Sequence, residues 1–536
     1  MIAVHVHRSL LATLGVLLSS LLLTGCPDSG VVCGEGLTRC GDTCLDLTSE
    51  SANCGACGVV CGEGQLCSEG ACTCQAGTTA CGGSCVDTRS SPQHCGGCAG
   101  SGGSVCGTGQ VCEQGTCKVQ CTTEGLQRCG DSCVNLDTDA SHCGTCGNAC
   151  GDARSCRGGV CTYDVVATCF NTGQVVGIQS GTDFKGPNAQ VASSPQSAAR
   201  MSDVLMVLDG ARKLVQTRLG DYGVLPTRND TGRAPNQVIV RDPYLYILNS
   251  SDNTLQVLRR DEEPVPGAAP GSRFPDGITL TDVGSVSFGA NTNPFGMTVL
   301  GDELWVTLYG NLMGDPTAGG RVARVSLANP AQPRVEDVIV LPTGAALKPF
   351  PNNTTLSTPT SITPHRGKLY TALNNLNPAT YGPGGPGLLA RIDPTSRAVD
   401  LIELGDGCLN PSAVAPVGEQ LLVSCSGKAN YDDQFNLTSV EHTGLVLLDT
   451  QDRVVATSPV ACAPGASACA IPAAGRFAVV GQRAYLGDTN GGRIFVHEVV
   501  GNTLVERRGL KNTSQPPIAA CPASGFSLVS DVVALP

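Results

Sequence analysis

Aromatic residues are scarce in this chain of 536 residues: Phe, Trp and Tyr make up 4% of it, and the first of them is Tyr163. A segment of 162 residues without any aromatic side chain is poorly suited to building an ordinary hydrophobic core, so other forces must hold it folded. Basic residues are also few, since 34 Lys and Arg stand against 46 Asp and Glu, a formal charge of −12. Phosphate binding needs clustered Lys and Arg, so we expect no nucleic-acid partner.

Familiar catalytic motifs are missing as well. The sequence contains no G-x-S-x-G elbow, H-E-x-x-H helix, Walker loop or Rossmann fingerprint in a supporting context. After Tyr163 there are three histidines, of which His365 in "TPHRGK" is expected in a solvated turn. The lone Trp305, in "ELWV", is expected to pack in a core.

The only long apolar run lies at residues 10–23, after Arg8, and it is too short to span a membrane comfortably. It indicates a signal peptide. The run ends in Leu-Thr-Gly-Cys26, which resembles the lipobox of bacterial lipoproteins. That resemblance implies a signal peptide at 1–25, a lipid on Cys26 and a lipidated linker at 26–32. The alternative is an ordinary secretory signal. Pro27 after the cysteine favours the outer membrane of a Gram-negative bacterium.

A cysteine pattern is repeated three times before Tyr163. From Cys40 the spacing is C-x3-C-x9-C-x2-C-x3-C-x5-C-x4-C, it starts again at Cys81 and Cys129, and one further cysteine precedes each copy. Such regularity predicts three modules, at residues 33–72, 74–117 and 121–161. Their cysteines are Cys33, Cys40, Cys44, Cys54, Cys57, Cys61, Cys67 and Cys72; Cys74, Cys81, Cys85, Cys95, Cys98, Cys106, Cys112 and Cys117; and Cys121, Cys129, Cys133, Cys143, Cys146, Cys150, Cys156 and Cys161.

Eight cysteines per module in an exported chain indicate a disulfide framework, because cross-links lower the entropy of the unfolded chain where a core is lacking. Spacing leaves the pairing open. The tetrads CGAC, CGGC and CGTC also resemble redox or zinc pairs. No strand and helix flank them, however, and Asn53 replaces the matching His94 and His142 in the first copy. We therefore predict disulfides and a polar turn residue.

The text "CGDTCLDLTSESANCGACGVVCGEGQLCSEGAC" and its two copies resemble the cysteine-rich repeats of the stigma-specific protein family of plants, which recur in many predicted bacterial lipoproteins. The resemblance is confined to the cysteine-rich part. It implies extracellular display or binding and no catalytic residue.

From Tyr163 onward, short β-rich runs alternate with Gly, Asn, Asp and Pro, which predicts an all-β region over 163–536. Seven units share one spacing. Pro195, Pro235, Pro294, Pro359, Pro411 and Pro522 lie ten residues before Leu205, Leu245, Leu304, Leu369, Leu421 and Val532, and Ala474 and Ala484 keep the same offset. Such repetition predicts a seven-bladed β-propeller preceded by three small, mostly irregular disulfide-rich modules. The alternative fold is a pair of β-sandwiches.

The unit at Pro522 has residues for only two strands, whereas residues 164–178 indicate an outer hairpin without its inner strand. We therefore predict that the two ends complete one blade. Three disulfides are predicted in the propeller. They join Cys169 to Cys521 as a clasp, Cys408 to Cys425 between adjacent strands, and Cys462 to Cys469 around a small loop.

The phrases "NTLQVLRR", "GLLARIDPTSRAVDLIELG" and "GLVLLDTQDRVVATSPV" resemble the strand-turn-strand text of YVTN-type seven-bladed propellers of bacterial surface and periplasmic proteins. This resemblance implies the fold but little about function, since propellers host unrelated activities. Propeller lactonases similar to the senescence-marker family hold a divalent metal with Asn, Asp and Glu. By that comparison Asn236, Asn293 and Asn410, beside blade-opening prolines, are candidate ligands, although Asn-Pro is also a common way to begin a turn.

Together these patterns predict a cell-envelope lipoprotein that is held on the membrane by its lipid and displays a propeller for binding a protein, peptide or glycan. We expect no catalytic residue, no metal and no cofactor. The alternatives are an envelope metallo-hydrolase or lactonase at the channel mouth and a purely structural envelope protein.

Overall fold

The structure is a computed structural model that describes residues 33–535 except 35, 119–120, 122, 131, 152–153, 266–272, 312–314, 316–318, 463–470, 513 and 523–527. The predicted signal segment and Cys26 lie outside the described residues. The described part is all-β; its helical turns are the 3-10 segments Phe170–Thr172, Ser250–Asp252 and Gly344–Leu347. No helix in it is long and apolar enough to cross a membrane. The chain divides into two compact units, with the boundary between Thr73 and Cys74.

Each cysteine-rich module is built of two short antiparallel hairpins. The paired strands are Thr38–Cys40 with Thr43–Leu45, Gln65–Ser68 with Ala71–Cys74, Thr79–Cys81 with Ser84–Val86, Val111–Glu113 with Thr116–Lys118, Gln127–Cys129 with Ser132–Val134, and Ser155–Arg157 with Val160–Thr162. The second and third modules share one four-stranded sheet, because Cys112 pairs with Ser132.

The remainder of the second unit consists of seven four-stranded antiparallel sheets, numbered here in chain order with the sheet that contains both ends last. Their strands, from first to fourth, are as follows: sheet 1, Pro195–Met201, Val204–Asp209, Lys213–Arg218, Val224–Asp230; sheet 2, Pro235–Arg241, Tyr244–Asn249, Thr254–Arg260, Leu280–Ser287; sheet 3, Pro294–Leu300, Glu303–Leu308, Arg321–Ser326, Arg334–Val340; sheet 4, Leu356–His365, Lys368–Leu376, Leu388–Ile392, Val399–Glu403; sheet 5, Pro411–Val417, Gln420–Cys425, Gly444–Leu448, Val454–Pro459; sheet 6, Ala474–Val480, Arg483–Asp488, Arg493–Val500, Thr503–Arg508; sheet 7, Val529–Ala534, Val165–Cys169, Gln174–Gln179, Phe184–Gln190.

Two small additions complete the strand inventory. Ile518–Ala519 pairs with the third strand of sheet 6. The hairpin of Lys428–Tyr431 and Leu437–Glu441 is inserted between the second and third strands of sheet 5.

The seven sheets close into a ring. The first strand of every sheet contacts the first strands of both neighbouring sheets, including sheets 7 and 1. Seven apolar clusters fill the seven seams between adjacent sheets, so each sheet is buried on both faces. The middle strands are accordingly rich in apolar residues and buried along their length, as in Val204–Asp209, where every residue is buried. This closed ring of radial sheets is a seven-bladed β-propeller.

Sheet 7 differs from the prediction in how the two ends share it. The end of the chain supplies one strand, Val529–Ala534, and the earlier segment supplies three. The text "GFSLVS" and "DVVAL" predicts one strand that ends at Ser530 and a second that begins at Asp531. In the structure Ser530 is instead the extra residue of a β-bulge opposite Thr168 and Cys169, within a single strand. Pro522 therefore does not open a strand, and Val532 lies in the first strand rather than the second.

The strand order defines two faces of the ring. Connections between second and third strands and between successive sheets lie at one end of the strands, here called the loop face. Connections between first and second strands and between third and fourth strands lie at the opposite end, here called the turn face.

The third cysteine-rich module packs against the turn face. Its Arg157 donates to the buried Asp164, with 2.8 Å between Nη2 and Oδ1, and its Ser155 hydroxyl donates to the same oxygen. Burial opposes ionisation of Asp164, but hydrogen bonds from Ser180, Arg157 and Ser155 outweigh it and hold the pKa of this carboxyl below its usual value. Val160 of the module enters the apolar seam between sheets 7 and 1. The loop face is left free of this module.

Candidate functional site

The cysteine modules use one disulfide pattern three times. Numbered in order, their eight cysteines pair first with third, second with fifth, fourth with seventh and sixth with eighth. The two cysteines of each tetrad thus belong to different disulfides, so the tetrads are not redox pairs. Among the described residues, the groups of three His, Cys, Asp or Glu with metal-binding spacing are all cysteines of these disulfides. A disulfide sulfur is not a thiolate ligand.

The polar residue before the tetrads holds a turn in every copy. Asn53 accepts the N–H of Gly58 at 2.9 Å, His94 accepts that of Ala99 at 3.1 Å, and His142 accepts that of Gly147 at 3.0 Å. The amide oxygen of Asn and an imidazole nitrogen of His both accept a hydrogen bond here, so either residue can occupy this position.

The inner strands share a second regular feature, a β-bulge close to their loop-face end. Side chains at these bulges bond to the neighbouring inner strand. The bonds are Ser530 Oγ to Pro195 O at 2.6 Å, Asn236 Nδ2 to Pro294 O at 3.3 Å, Thr360 Oγ1 to Pro411 O at 3.2 Å, and Ser412 Oγ to Gly475 O at 3.4 Å. Bulges commonly re-aim side chains beside functional sites, and here they form a polar belt around the channel mouth.

One arginine crosses this mouth. Arg476 in the first strand of sheet 6 lies 3.6 Å from Asp531 Oδ2 in sheet 7 and donates to Asn236 O in sheet 2 at 3.4 Å. Its guanidinium also lies over the Phe295 ring of sheet 3, 5.6 Å from the centroid. The side chain of Asp531 is 9% exposed. One arginine side chain thus contacts four of the seven sheets at the channel mouth, through an ion pair, a hydrogen bond and a cation–π contact.

The three asparagines proposed as metal ligands bind backbone groups. Asn293 and Asn410 have positive φ angles, 46° and 48°, and their Nδ2 atoms donate to Gly310 O at 3.2 Å and Gly427 O at 2.9 Å. Asn236 donates to Pro294 O, next to Asn293. The buried Oδ1 atoms of Asn236 and Asn410 have no hydrogen-bond partner in the described part of the chain. No group of three Asp, Glu or His side chains converges on any of them in that part.

The cysteines of the propeller lie at the loop face. Cys169 is bonded to Cys521, and Cys408 is bonded to Cys425. In both cases the last residue of a second strand is tied to the connection that enters the same sheet. Cys462, in the connection from sheet 5 to sheet 6, is also disulfide-bonded, while its predicted partner Cys469 lies outside the described residues. The two bonds Cys169–Cys521 and Cys408–Cys425 fix two loop-face connections in place.

Exposed aromatic side chains are concentrated on the loop face. Phe350 lies in the connection from sheet 3 to sheet 4, Tyr381 between the second and third strands of sheet 4, and Tyr431 and Phe435 on the inserted hairpin of sheet 5. Among the described residues, the other markedly exposed aromatic is Phe184, on the turn face. The connections of Phe350 and Tyr381 are joined by the bond from Phe350 N to Gly384 O, 2.8 Å.

The turn face holds a polar groove of about 420 Å³ between sheets 5 and 6, lined by Glu419, Asp449, Arg453, Gln482 and Asn502 among others. Two of its charged groups are paired with each other, since Arg453 donates to Asp449 Oδ2 at 2.7 Å. His365 lies beside it, with Nε2 3.0 Å from Glu419 O. Trp305 is fully buried between sheets 3 and 4.

Sequence reasoning missed both the ion pair at the mouth and the aromatic hairpin. The first has no local signal, because Arg476, Asp531, Asn236 and Phe295 come together only when the ring closes. The second has only a weak one: 63 residues separate Pro411 from Ala474, but 65 separate Pro294 from Pro359 and 59 separate Pro235 from Pro294. The length of a repeat therefore does not by itself single out the unit that carries the inserted hairpin.

Comparison with known proteins gives a family match for one segment. The stigma-specific STIG1-like protein family matches residues 113–164, which include the third module. No curated protein matches the chain by sequence.

Several solved structures are similar at low identity. Apo AztD from Citrobacter koseri is 13% identical over 69% of this chain and 97% of that chain, with a TM-score of 0.41. A putative 6-phosphogluconolactonase from Bacteroides fragilis is 10% identical over 69% and 97%, with a TM-score of 0.46. BamB from Moraxella catarrhalis is 12% identical over 68% and 83%, with a TM-score of 0.34. Such similarities carry no functional conclusion, so the chain is described by its own topology: a seven-bladed β-propeller that follows a cysteine-rich segment similar to the stigma-specific family.

Proposed function

We propose that this protein is a lipid-anchored protein of the cell envelope, in the outer membrane of a Gram-negative bacterium, whose propeller binds a protein, peptide or glycan through the loop face. The observation that carries the proposal is the contrast between the two faces. The third cysteine-rich module occupies part of the turn face, whereas the loop face is free of it and bears four exposed aromatic side chains.

The loop-face disulfides support the same assignment. A binding surface made of loops loses affinity when the loops must be ordered on binding, and cross-links reduce that loss. Cys169–Cys521 and Cys408–Cys425 tie two loop-face connections to the ends of strands. Exposed Tyr and Phe on ordered loops supply large contact areas at small entropic cost.

The anchoring part of the proposal rests on the Leu-Thr-Gly-Cys26 sequence and on the cysteine-rich segment. Twelve disulfides in three modules fit an oxidising compartment and resist proteolysis outside the cell. Mass spectrometry of the mature N-terminus, expected to find diacylglycerol on Cys26, tests the anchor separately from binding.

Binding is tested with the full oxidised chain immobilised through its N-terminal end and exposed in turn to envelope proteins, muropeptides and surface polysaccharide of the source cell. We expect one fraction to bind, and the double variant Phe350→Ser/Tyr381→Ser to weaken that binding at least tenfold. Phe184→Ser, an equally exposed ring on the turn face, is the matched control. Equal binding by the wild type and both variants would overturn the proposal.

A further inference from the structure

The inserted hairpin of sheet 5 stands apart from the regular architecture. Lys428–Tyr431 pairs with Leu437–Glu441 in a two-stranded sheet of its own, separate from the four strands of sheet 5. It joins the second and third strands of that sheet, so its tip, residues 431–436, points away from the strands on the loop face. All six tip residues are exposed.

Hydrogen bonds within the tip hold it in one shape. Asp432 Oδ1 accepts the N–H groups of Gln434 at 2.9 Å and Asn436 at 2.8 Å, and Asp432 N donates to Asn436 O at 3.0 Å. Phe435 is 88% exposed and Tyr431 is 60% exposed. Phe435 also has a φ of +62°, a conformation that bulky residues rarely adopt.

Packing among the described residues does not explain why Phe435 is both exposed and held in a strained backbone conformation. Strained positions persist where the surrounding structure fixes them, and they concentrate at ligand-contacting sites. Here the Asp432 turn fixes the backbone, so Phe435 is presented as a rigid, convex apolar point. Such a point is complementary to a concave apolar pocket on a partner.

The charged residues near the Tyr431 and Phe435 rings restrict the class of partner further. The charged residues of the hairpin 428–441 are Lys428, Asp432, Asp433 and Glu441. Lys428 lies opposite Glu441 at the base of the hairpin, so the tip itself carries two acidic residues and no basic one. Anionic membrane surfaces attract basic segments and repel acidic ones, so a lipid surface is a poor match. An apolar pocket with Lys or Arg at its rim is complementary to both the rings and the acids.

We propose that this hairpin tip is a protein-docking anchor, which inserts Phe435 and Tyr431 into an apolar pocket rimmed by Lys and Arg on a partner protein. The proposal rests on the proposed function of the loop face and assigns the partner class and the central contact.

Photo-cross-linking tests the proposal. Benzoyl-phenylalanine replaces Phe435 in the full oxidised chain, which is irradiated with the envelope proteins of the source cell, and separately with phosphatidylethanolamine/phosphatidylglycerol vesicles and with surface polysaccharide. The same probe at Phe184 is the control. We expect one discrete protein adduct at position 435 and none at 184, with a yield at least tenfold lower when Asp433 is changed to Lys and when salt is raised.

The identified protein is then titrated against the full chain. Phe435→Ser is expected to raise Kd at least tenfold, while thermal unfolding stays unchanged because the ring packs on nothing. The anchor is overturned by adducts with lipid, polysaccharide or a second copy of this chain alone, by no adduct at all, or by a yield indifferent to Asp433→Lys. If Phe350→Ser/Tyr381→Ser weakens binding while Phe435→Ser does not, the loop-face function stands and the anchor fails. If no variant has any effect, both fail.

Discussion

Cys169 and Cys521 are joined by a disulfide across 352 positions of the sequence. Cys169 ends the strand that pairs with Val529–Ala534, so the covalent bond lies beside the hydrogen bonds that close the ring. Both sulfurs are buried in the seam between sheets 6 and 7. The ring is therefore closed twice at one place, once by strand pairing and once by a covalent bond.

Removing this clasp is predicted to destabilise the propeller more than removing any other disulfide of the ring. By the loop-entropy argument a cross-link over so many residues contributes on the order of 5 kcal/mol, and the 17-residue span of Cys408–Cys425 about 3 kcal/mol. Denaturant unfolding followed by the single, buried Trp305 measures the difference between the Cys169→Ala/Cys521→Ala and Cys408→Ala/Cys425→Ala variants. Equal losses would contradict a role in ring closure.

Much of the ring is predictable because its spacing is a consequence of strand and turn length. Pro195–Met201 has seven residues and a two-residue turn follows, so Leu205 is the second residue of the next strand, ten positions after Pro195. The same count places Leu245, Leu304 and Leu421. At Pro522 the rule fails, since a bulge at Ser530 has the same polar residues as a turn.

The site was less predictable than the fold. Local sequence indicates that Asn293 and Asn410 are turn residues, and both indeed have left-handed backbones. It gives no indication that Arg476 reaches Asn236, because that contact depends on the curvature of the whole ring. The disulfide pairing within the modules was open for a similar reason: it is set by how the two hairpins cross, which spacing does not specify.

The glycine of the tetrads is predicted to be indispensable for module folding. A Cβ on Gly96 would lie 2.6 Å from the carbonyl oxygen of Gly115, closer than any real contact, and φ there is +81°. We expect Gly96→Ala to prevent formation of the native disulfides Cys95–Cys112 and Cys81–Cys98, which non-reducing peptide mapping detects. Gly109→Ala is the control, because Gly109 also has a positive φ, +78°, but has open space around it. Native disulfides in both variants would show that the close approach is not limiting.

Arg476 and Asp531, the ion pair at the channel mouth, are predicted to stabilise the propeller as a coupled pair. Arg476→Gln leaves the largely buried Asp531 without its cation, and we expect a loss of about 2 kcal/mol. Asp531→Asn in the same chain should recover part of that loss, since no buried charge then remains unpaired. Urea unfolding of the two single variants and the double variant gives the coupling energy. Additive losses would show that the two side chains do not interact.

His497 is predicted to make the propeller sensitive to acid. It is fully buried in the third strand of sheet 6, neither ring nitrogen has a hydrogen-bond partner among the described residues, and burial together with the charge of Lys511 lowers its pKa to about 4. In the unfolded chain the pKa of this histidine is about 6.5. As pH falls from about 6.5 to about 4, the unfolded state therefore binds a proton that the folded state does not bind. Stability is lost over that window, by about 3 kcal/mol in total.

Glu506, whose Oε2 lies 4.0 Å from His497 Nε2, acts in the opposite direction. Burial raises its pKa, so the folded state accepts this proton more readily than the unfolded state and regains some stability as pH falls. We therefore expect His497→Phe to flatten the fall in urea midpoint between pH 6.5 and 4, because residue 497 can then bind no proton in the unfolded state. Substitution of the exposed His442 by Gln is expected to leave the fall unchanged. Trp305 fluorescence gives the midpoint at each pH. An equally steep fall in His497→Phe would place the acid sensitivity elsewhere in the ring.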